Sequence, residues 1–145
     1  MKYTSTRSKY IHTEISTANK LELVIMCYDK SIQFLRQAKD HLLNKEYETK
    51  NEKLSKVINI IGELKCSLDF DQGGDVSKNL EAIYTYLMNR IVEGDLTRNS
   101  AVLDEVINIL SELREAWQGI SPSGHPILMN PEQGLINTYF QQIPA

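Results

Sequence analysis

The chain has 145 residues, of which 41% are hydrophobic and 24% are charged, a composition typical of a single globular domain. Its formal net charge of −3 disfavours a nucleic-acid partner, because a phosphate backbone binds concentrated basic surfaces. No apolar stretch approaches the roughly twenty residues of a membrane-spanning helix, and no apolar run of the signal-peptide kind follows Lys2, Arg7 and Lys9. Cys27 and Cys66 lie in helical patterns and are expected to be buried and reduced. We therefore expect one cytoplasmic domain without membrane insertion.

Apolar residues spaced three and four apart predict four amphipathic helices. The first is predicted over 18–44, the second over 46–69 and the third over 75–93, with Gly94 as its stop. The fourth is predicted over 99–118. Strict alternation of apolar and polar residues, the signature of strands, is missing from the sequence.

Four amphipathic helices with short connections predict an all-α fold, an antiparallel up-down helical bundle with four main helices. Residues 18–121 are assigned to the bundle, 1–17 to an N-terminal surface segment and 122–145 to a C-terminal extension. The extension combines Pro and Gly with apolar residues that disordered tails usually lack. Three interpretations of it stay open: it is a frayed extension that packs elsewhere on the bundle, it occupies a partner-binding groove of its own chain, or it is an artificial fusion.

Gly73 and Gly74 mark the turn between the second and third helices, because glycine adopts positive φ without a steric penalty. Asp75 follows them at the position where a helix N-cap is wanted, so its carboxylate is predicted to accept from the first backbone N–H groups.

The residue types that carry catalysis or bind metals are scattered along the chain. The three histidines are His12, His41 and His125. The acidic residues Asp69, Asp71 and Asp75 fail as a calcium loop, because Leu80 stands where a bidentate glutamate is required. No phosphate-binding glycine motif and no nucleophile elbow is found. We therefore expect no catalytic residue, no metal and no cofactor.

One long string is far more specific than any amphipathic pattern. Residues 68–91 read LDFDQGGDVSKNLEAIYTYLMNRI, and residues 113–122 read LREAWQGISP. In the pattern LDxxxGGDVxxNLxxIYxYLxxRI, and in LREAW followed by ISP, the chain resembles the flagellar export chaperones of the FliS family. The resemblance covers about Tyr10 to Pro122.

The resemblance implies an ATP-independent cytoplasmic export chaperone. Such chaperones bind the C-terminal segment of flagellin, prevent its premature polymerisation and aid its delivery to the flagellar secretion apparatus. The client segment is expected to become helical in apolar grooves of the bundle. The alternative left open is a helical interaction or self-associating structural module without flagellin as its client.

Site residues are expected from the stripes and from the positions that match the family pattern. The client-binding candidates are Ile58, Ile61, Leu64, Asn79, Ile83, Tyr86, Leu87, Arg90, Val106 and Leu110. Each apolar candidate has an equal claim to the bundle core, since periodicity does not separate a core stripe from a groove. Tyr10 matches the tyrosine with which relatives dock to the export gate, although Arg7 stands where relatives often carry an apolar residue. The segment 1–17 is expected to be able to cover the client groove.

Overall fold

The computed structural model describes the backbone of residues 17–119 and the side chains of residues 20–119. It contains four helices: α1 (Thr17–Leu43), α2 (Tyr47–Cys66), α3 (Phe70–Leu96) and α4 (Ser100–Gln118). Helices α1 and α3 each pack against both α2 and α4, and three-residue turns join successive helices. This arrangement confirms the predicted all-α up-down bundle. The predicted extension 122–145, Tyr10 and all of the segment 1–17 except Thr17 lie outside the described residues.

One continuous hydrophobic core runs between the four helices. Each helix contributes large side chains that are almost completely buried, among them Leu35, Ile61, Leu87 and Leu103. Burial of each such side chain contributes roughly 1.5–3 kcal/mol relative to exposure, so the apolar stripes supply most of the driving force for assembly. Within residues 17–119, no helix combines the length and the apolarity needed to cross a bilayer.

A chain of polar side chains passes through this core. The indole Nε1 of Trp117 donates to the Tyr28 hydroxyl at 2.8 Å, and the Tyr28 and Tyr84 hydroxyls lie 2.7 Å apart. Burial raises the pKa of both phenols, which therefore stay neutral. Because Tyr28 lies on α1, Tyr84 on α3 and Trp117 on α4, the chain connects three helices.

The turn between α2 and α3 differs from the prediction in its caps. Helix α2 ends at Cys66, three residues before the predicted end at residue 69. The Ser67 hydroxyl donates to the Leu64 carbonyl at 2.9 Å, so it satisfies one of the carbonyls that lack a partner at the C-terminal end of the helix. Asp69, and not Asp75, is the N-cap: its Oδ1 accepts from the backbone N–H groups of Asp71 and Gln72 at 3.0 Å.

Gly73 and Gly74, predicted to mark the turn between the second and third helices, lie instead inside α3, where they have different roles. At Gly73 an added Cβ would lie 1.9 Å from the Ser77 hydroxyl, whose position is held by its 2.8 Å bond to the Asp69 carbonyl. At Gly74 the backbone has φ 51° and ψ −124°, with nothing near an added Cβ. Gly74 therefore makes the kink that separates the first turn of α3 from the rest of the helix.

The C-terminal end of α3 also differs from the prediction, because Gly94 lies inside the helix. The helix continues to Leu96, and Gly94 is buried where an added Cβ would be 3.1 Å from Val102 and 3.3 Å from Leu103. This glycine lets α3 approach the first turn of α4 and does not stop the helix. Helix α4 begins as predicted, with Asn99 as its N-cap accepting from the Ala101 N–H at 3.0 Å.

Both cysteines of the chain are free thiols, but they are not equally buried. Cys27 is half-buried, whereas Cys66 is exposed, so the predicted burial of Cys66 is wrong. The physical reason is its position two residues after the buried Leu64, which places it on the opposite side of α2.

Gly74→Ala is expected to lower the free energy of unfolding by about 1–2 kcal/mol, because alanine is strained at positive φ. Gly62→Ala is the matched control: Gly62 is helical and an added Cβ would lie 3.9 Å from Met88, so stability should rise by up to about 1 kcal/mol. Urea unfolding followed by circular dichroism measures both changes. A stabilising Gly74→Ala would contradict the assigned kink.

Tyr28→Phe is expected to cost about 2–3 kcal/mol, because it leaves the Trp117 N–H and the Tyr84 hydroxyl without a partner. Tyr84→Phe should cost about 1 kcal/mol, since the bond between Trp117 and Tyr28 remains. Because Trp117 is the single tryptophan, its fluorescence should shift in the first variant and stay near wild type in the second. Equal costs and unshifted spectra would argue against the hydrogen-bonded chain.

Candidate functional site

Six of the ten predicted client-binding side chains lie inside the core. They are Ile61, Leu64, Ile83, Leu87, Val106 and Leu110, each at most 6% exposed. All six belong to the continuous core cluster that holds the helices together. In this arrangement a client has no access to them, so direct contact would require the helices to separate.

The other four predicted residues are partly exposed: Ile58 on α2, and Asn79, Tyr86 and Arg90 on α3. Asn79, Tyr86 and Arg90 are seven and four residues apart, a spacing that aligns side chains along one stripe of a helix. Ile58 packs against the edge of the core. The structure therefore brings three of the predicted residues together on α3 and places Ile58 on a separate helix.

Glu105 of α4 joins two members of this stripe. Its Oε1 accepts from the Tyr86 hydroxyl at 2.5 Å, while its Oε2 accepts from Arg90 Nε at 2.9 Å and Nη2 at 2.6 Å. Arg90 Nη1 also donates to Glu93 at 2.6 Å. We call Asn79, Tyr86, Arg90 and Glu105 the α3–α4 strip.

The charges in the α3–α4 strip stabilise one another. The hydrogen bond to Glu105, followed by partial burial, raises the pKa of Tyr86. The same carboxylate raises the pKa of Arg90 against the opposing effect of burial. For Glu105 burial acts to raise the pKa, but the hydrogen bonds from Tyr86 and Arg90 outweigh it, and the net shift is downward. The strip is therefore a set of fixed charges at neutral pH and holds no group poised for proton transfer.

The strip suits peptide binding better than chemistry. Tyr86 contributes a partly exposed ring that packs against the core, and the Asn79 side chain is partly exposed one stripe position away. An amide and an aromatic ring at a wet edge can bind backbone groups and apolar side chains of a peptide. Among the side chains of residues 20–119, no three His, Cys, Asp or Glu residues gather closely enough to hold a metal ion.

Glu105 was not among the residues predicted from the sequence. It lies on α4 between the core positions Leu103 and Val106, where a polar residue is ordinary. The spacing of Tyr86 and Arg90 shows that they share a face of α3, but it contains no information about their partner on α4. That pairing depends on how the two helices are rotated against each other.

The family assignment rests on the length of the match. A sequence model described as Flagellar protein FliS matches residues 3–124, which includes all four helices. The chain belongs to the FliS family. The match begins before Tyr10 and ends just after Pro122, so it includes the whole region in which the resemblance was seen.

Individual FliS proteins show the same extent of similarity. The chain is 34% identical over 113 residues to the flagellar secretion chaperone FliS of Salmonella typhimurium, covering 77% of this chain and 84% of the relative. It is 31% identical over 115 residues to FliS of Vibrio cholerae, covering 79% and 85%. With FliS of Bacillus subtilis it shares 32% identity over 109 residues, covering 75% and 80%.

Membership of the FliS family identifies the protein as a flagellar secretion chaperone, and not as an enzyme. A chaperone of this kind has a client protein, so a partner-binding surface is required of the bundle. Ile58, Asn79, Tyr86 and Arg90 are the predicted site residues that remain accessible for this role.

Glu105→Gln is expected to lower the free energy of unfolding at pH 7 by about 0.5–1 kcal/mol, because the strip is partly exposed to solvent. The folded-state pKa of Glu105 is lowered, so its contribution is present above the unfolded-state pKa and disappears as pH falls through the folded-state pKa. Urea unfolding of both proteins across the acid range measures this. A difference between them that persists at the acid end would contradict the assigned charge interactions.

Proposed function

We propose that this FliS protein is a cytoplasmic, ATP-independent export chaperone for flagellin. It binds the C-terminal segment of flagellin, prevents premature polymerisation and aids delivery to the flagellar secretion apparatus. The observation that carries the proposal is the match to flagellar secretion chaperones across residues 3–124.

The client is proposed to bind along accessible edges of the bundle. The α3–α4 strip offers a ring, an amide and fixed charges, and Ile58 offers an apolar side chain at the edge of the core. A flagellin segment that becomes helical on binding loses conformational entropy, so its affinity must come from a large apolar contact area. The exposed large apolar side chains can enlarge that area; they are Met26, Leu43, Phe70, Val92 and Leu96.

The six buried candidate residues can contact a client only if the helices of the bundle separate. Ser31 Oγ and Gln37 Oε1 are buried without a hydrogen-bond partner among the described residues, and such groups lower the cost of local separation. A client helix that inserts beside Ile83 or Val106 would replace contacts between bundle helices.

Calorimetric titration with the C-terminal segment of flagellin from the same organism tests the proposal. We expect one-to-one binding, a negative heat-capacity change and a gain of helix by the segment. The affinity should be the same with and without ATP. Absence of binding by the full chain and by a variant ending at Ser121 would reject flagellin as the client and leave the self-associating module, which sedimentation would detect.

The same titration locates the binding surface. Tyr86→Ala and Asn79→Ala are each expected to weaken binding by about tenfold, because each removes a direct contact. Gln33→Ala, an exposed position on α1, is the matched control and should bind like the wild type. Equal effects at all three positions would place the client elsewhere.

The N-terminal segment and the C-terminal extension are proposed to compete with flagellin for its binding groove. If residues 1–15 cover the groove, their removal should strengthen flagellin binding, since competition within the chain lowers the apparent affinity. If the extension 122–145 occupies the groove, the variant ending at Ser121 should also bind more tightly. Tyr10 is proposed to dock to the export gate, so Tyr10→Ala should reduce secretion of flagellin while leaving its binding unchanged.

A further inference from the structure

Three lysines surround the ring of Phe34 at the seam between α1 and α2. The ammonium nitrogens of Lys30, Lys53 and Lys56 lie 6.0, 5.5 and 5.2 Å from the ring centroid. Lys30 and Phe34 are one turn apart on α1, whereas Lys53 and Lys56 reach the ring from α2. We call these four residues the lysine–phenylalanine patch.

The charge of this patch is unbalanced. The ion pairs formed between residues 20 and 119 involve the cations Lys39, His41, Lys50, Arg90 and Arg114, and none of the patch lysines. The neighbouring acid Asp29 is paired with Arg114, and Glu52 forms no ion pair with a described residue.

The three ammonium groups place like charges around one ring. All three lie within 6.0 Å of its centroid, so any two are at most about 12 Å apart, and pairs closer than the Debye length of about 8 Å at physiological salt repel one another. The ring attracts cations over its faces, but it has only two faces for three cations. An anion placed beside the ring would remove the repulsion that remains.

Most of the balancing charge has to come from another molecule. Glu52, one helical turn before Lys56 on α2 and without an ion pair to a described residue, supplies one negative charge for three lysines. Outside the described residues the chain has two acidic side chains, Glu14 and Glu132. A chain with a net charge of −3 and a patch of three lysines is poorly suited to a nucleic-acid backbone, which requires an extended basic surface. Several carboxylates next to an apolar side chain would match both the lysines and the partly exposed ring of Phe34.

We propose that the lysine–phenylalanine patch is a docking site for an acidic peptide segment of a partner protein, with carboxylates at the three lysines and an apolar side chain on Phe34. The patch lies on the α1–α2 seam, and the α3–α4 strip lies on the seam between the other two helices. In a bundle whose helices pack in the cyclic order α1, α2, α3, α4, these seams are on opposite sides. The acidic partner can therefore bind while the client occupies the strip.

Fluorescence anisotropy with two labelled peptides tests the patch. The acidic probe has the sequence Asp-Glu-Phe-Glu-Asp, and its neutral match is Asn-Gln-Phe-Gln-Asn. The full-length protein is expected to bind the acidic probe at least about tenfold more tightly, with an affinity that falls as salt rises. Similar affinity for both probes would overturn the proposal.

Variants locate the binding. The triple variant Lys30→Gln, Lys53→Gln, Lys56→Gln should bind the acidic probe about tenfold more weakly. A second triple variant, Lys20→Gln, Lys45→Gln, Lys78→Gln, removes the same charge from exposed positions elsewhere and should bind within about twofold of the wild type. Phe34→Leu keeps an apolar side chain and should cost about threefold. Equal losses in the two triple variants would reduce the effect to net charge and reject the site.

Two further experiments show whether something other than an acidic peptide binds the lysine–phenylalanine patch. Tighter binding of a labelled single-stranded oligothymidine than of the acidic probe, lost in the patch variant, would replace the acidic peptide with nucleic acid. Stronger probe binding after Glu14→Gln and Glu132→Gln would show that the chain's own segments occupy the patch, which also overturns the proposal. Circular dichroism confirms that each variant is folded. Neither probe is flagellin, so the result is independent of the client titration.

Discussion

The hydrogen-bonded chain from the partly buried Trp117 through the buried Tyr28 to the buried Tyr84 constrains how α1, α3 and α4 sit against one another. Helices α1 and α3 do not pack as neighbours, and the two phenols connect them across the middle of the bundle. An apolar core tolerates small rotations of its helices, because dispersion and burial are not directional. Buried hydroxyls must keep their partners, so this chain favours a single rotation and register for α1, α3 and α4.

That register decides what the α3–α4 seam presents. It places Glu105 where one carboxylate accepts from both Tyr86 and Arg90. On the α1–α2 seam, where the hydrogen-bonded chain has no member on α2, lysines of α2 lie around the ring of Phe34 on α1. The first seam is electrostatically satisfied and the second is not, although both consist of ordinary surface residues in sequence.

The candidate site shows the limit of helical periodicity as a guide to function. Ile61, Ile83 and Val106 have the spacing expected of either a groove or a core, and the structure buries them in the core. Asn79 and Tyr86 were predicted through their match to the family string, and they are partly exposed. The string itself does not separate the two classes, because it also contains Ile83 and Leu87, which are buried, whereas Ile58 of the apolar stripe is partly exposed. Within the string, the polar and amphipathic members are accessible and the aliphatic candidates are not, because an apolar stripe records that a side is buried but not whether a bundle helix or a client buries it.

The sequence by itself determined the helical class, the number of helices, the family and the approximate turns, because these depend on local periodicity and on glycine chemistry. It also located the start of α4 at Asn99, a side chain that caps its own helix. The Asp69 cap of α3 is equally local, since its Oδ1 accepts from N–H groups two and three residues later, but the sequence also offered Asp75 for that role. Only the tertiary structure decided that Gly94 packs against α4 and that Lys45 and Arg98 adopt positive φ. These features depend on distances between helices and on how tightly the turns close, and no single segment of the chain specifies such distances.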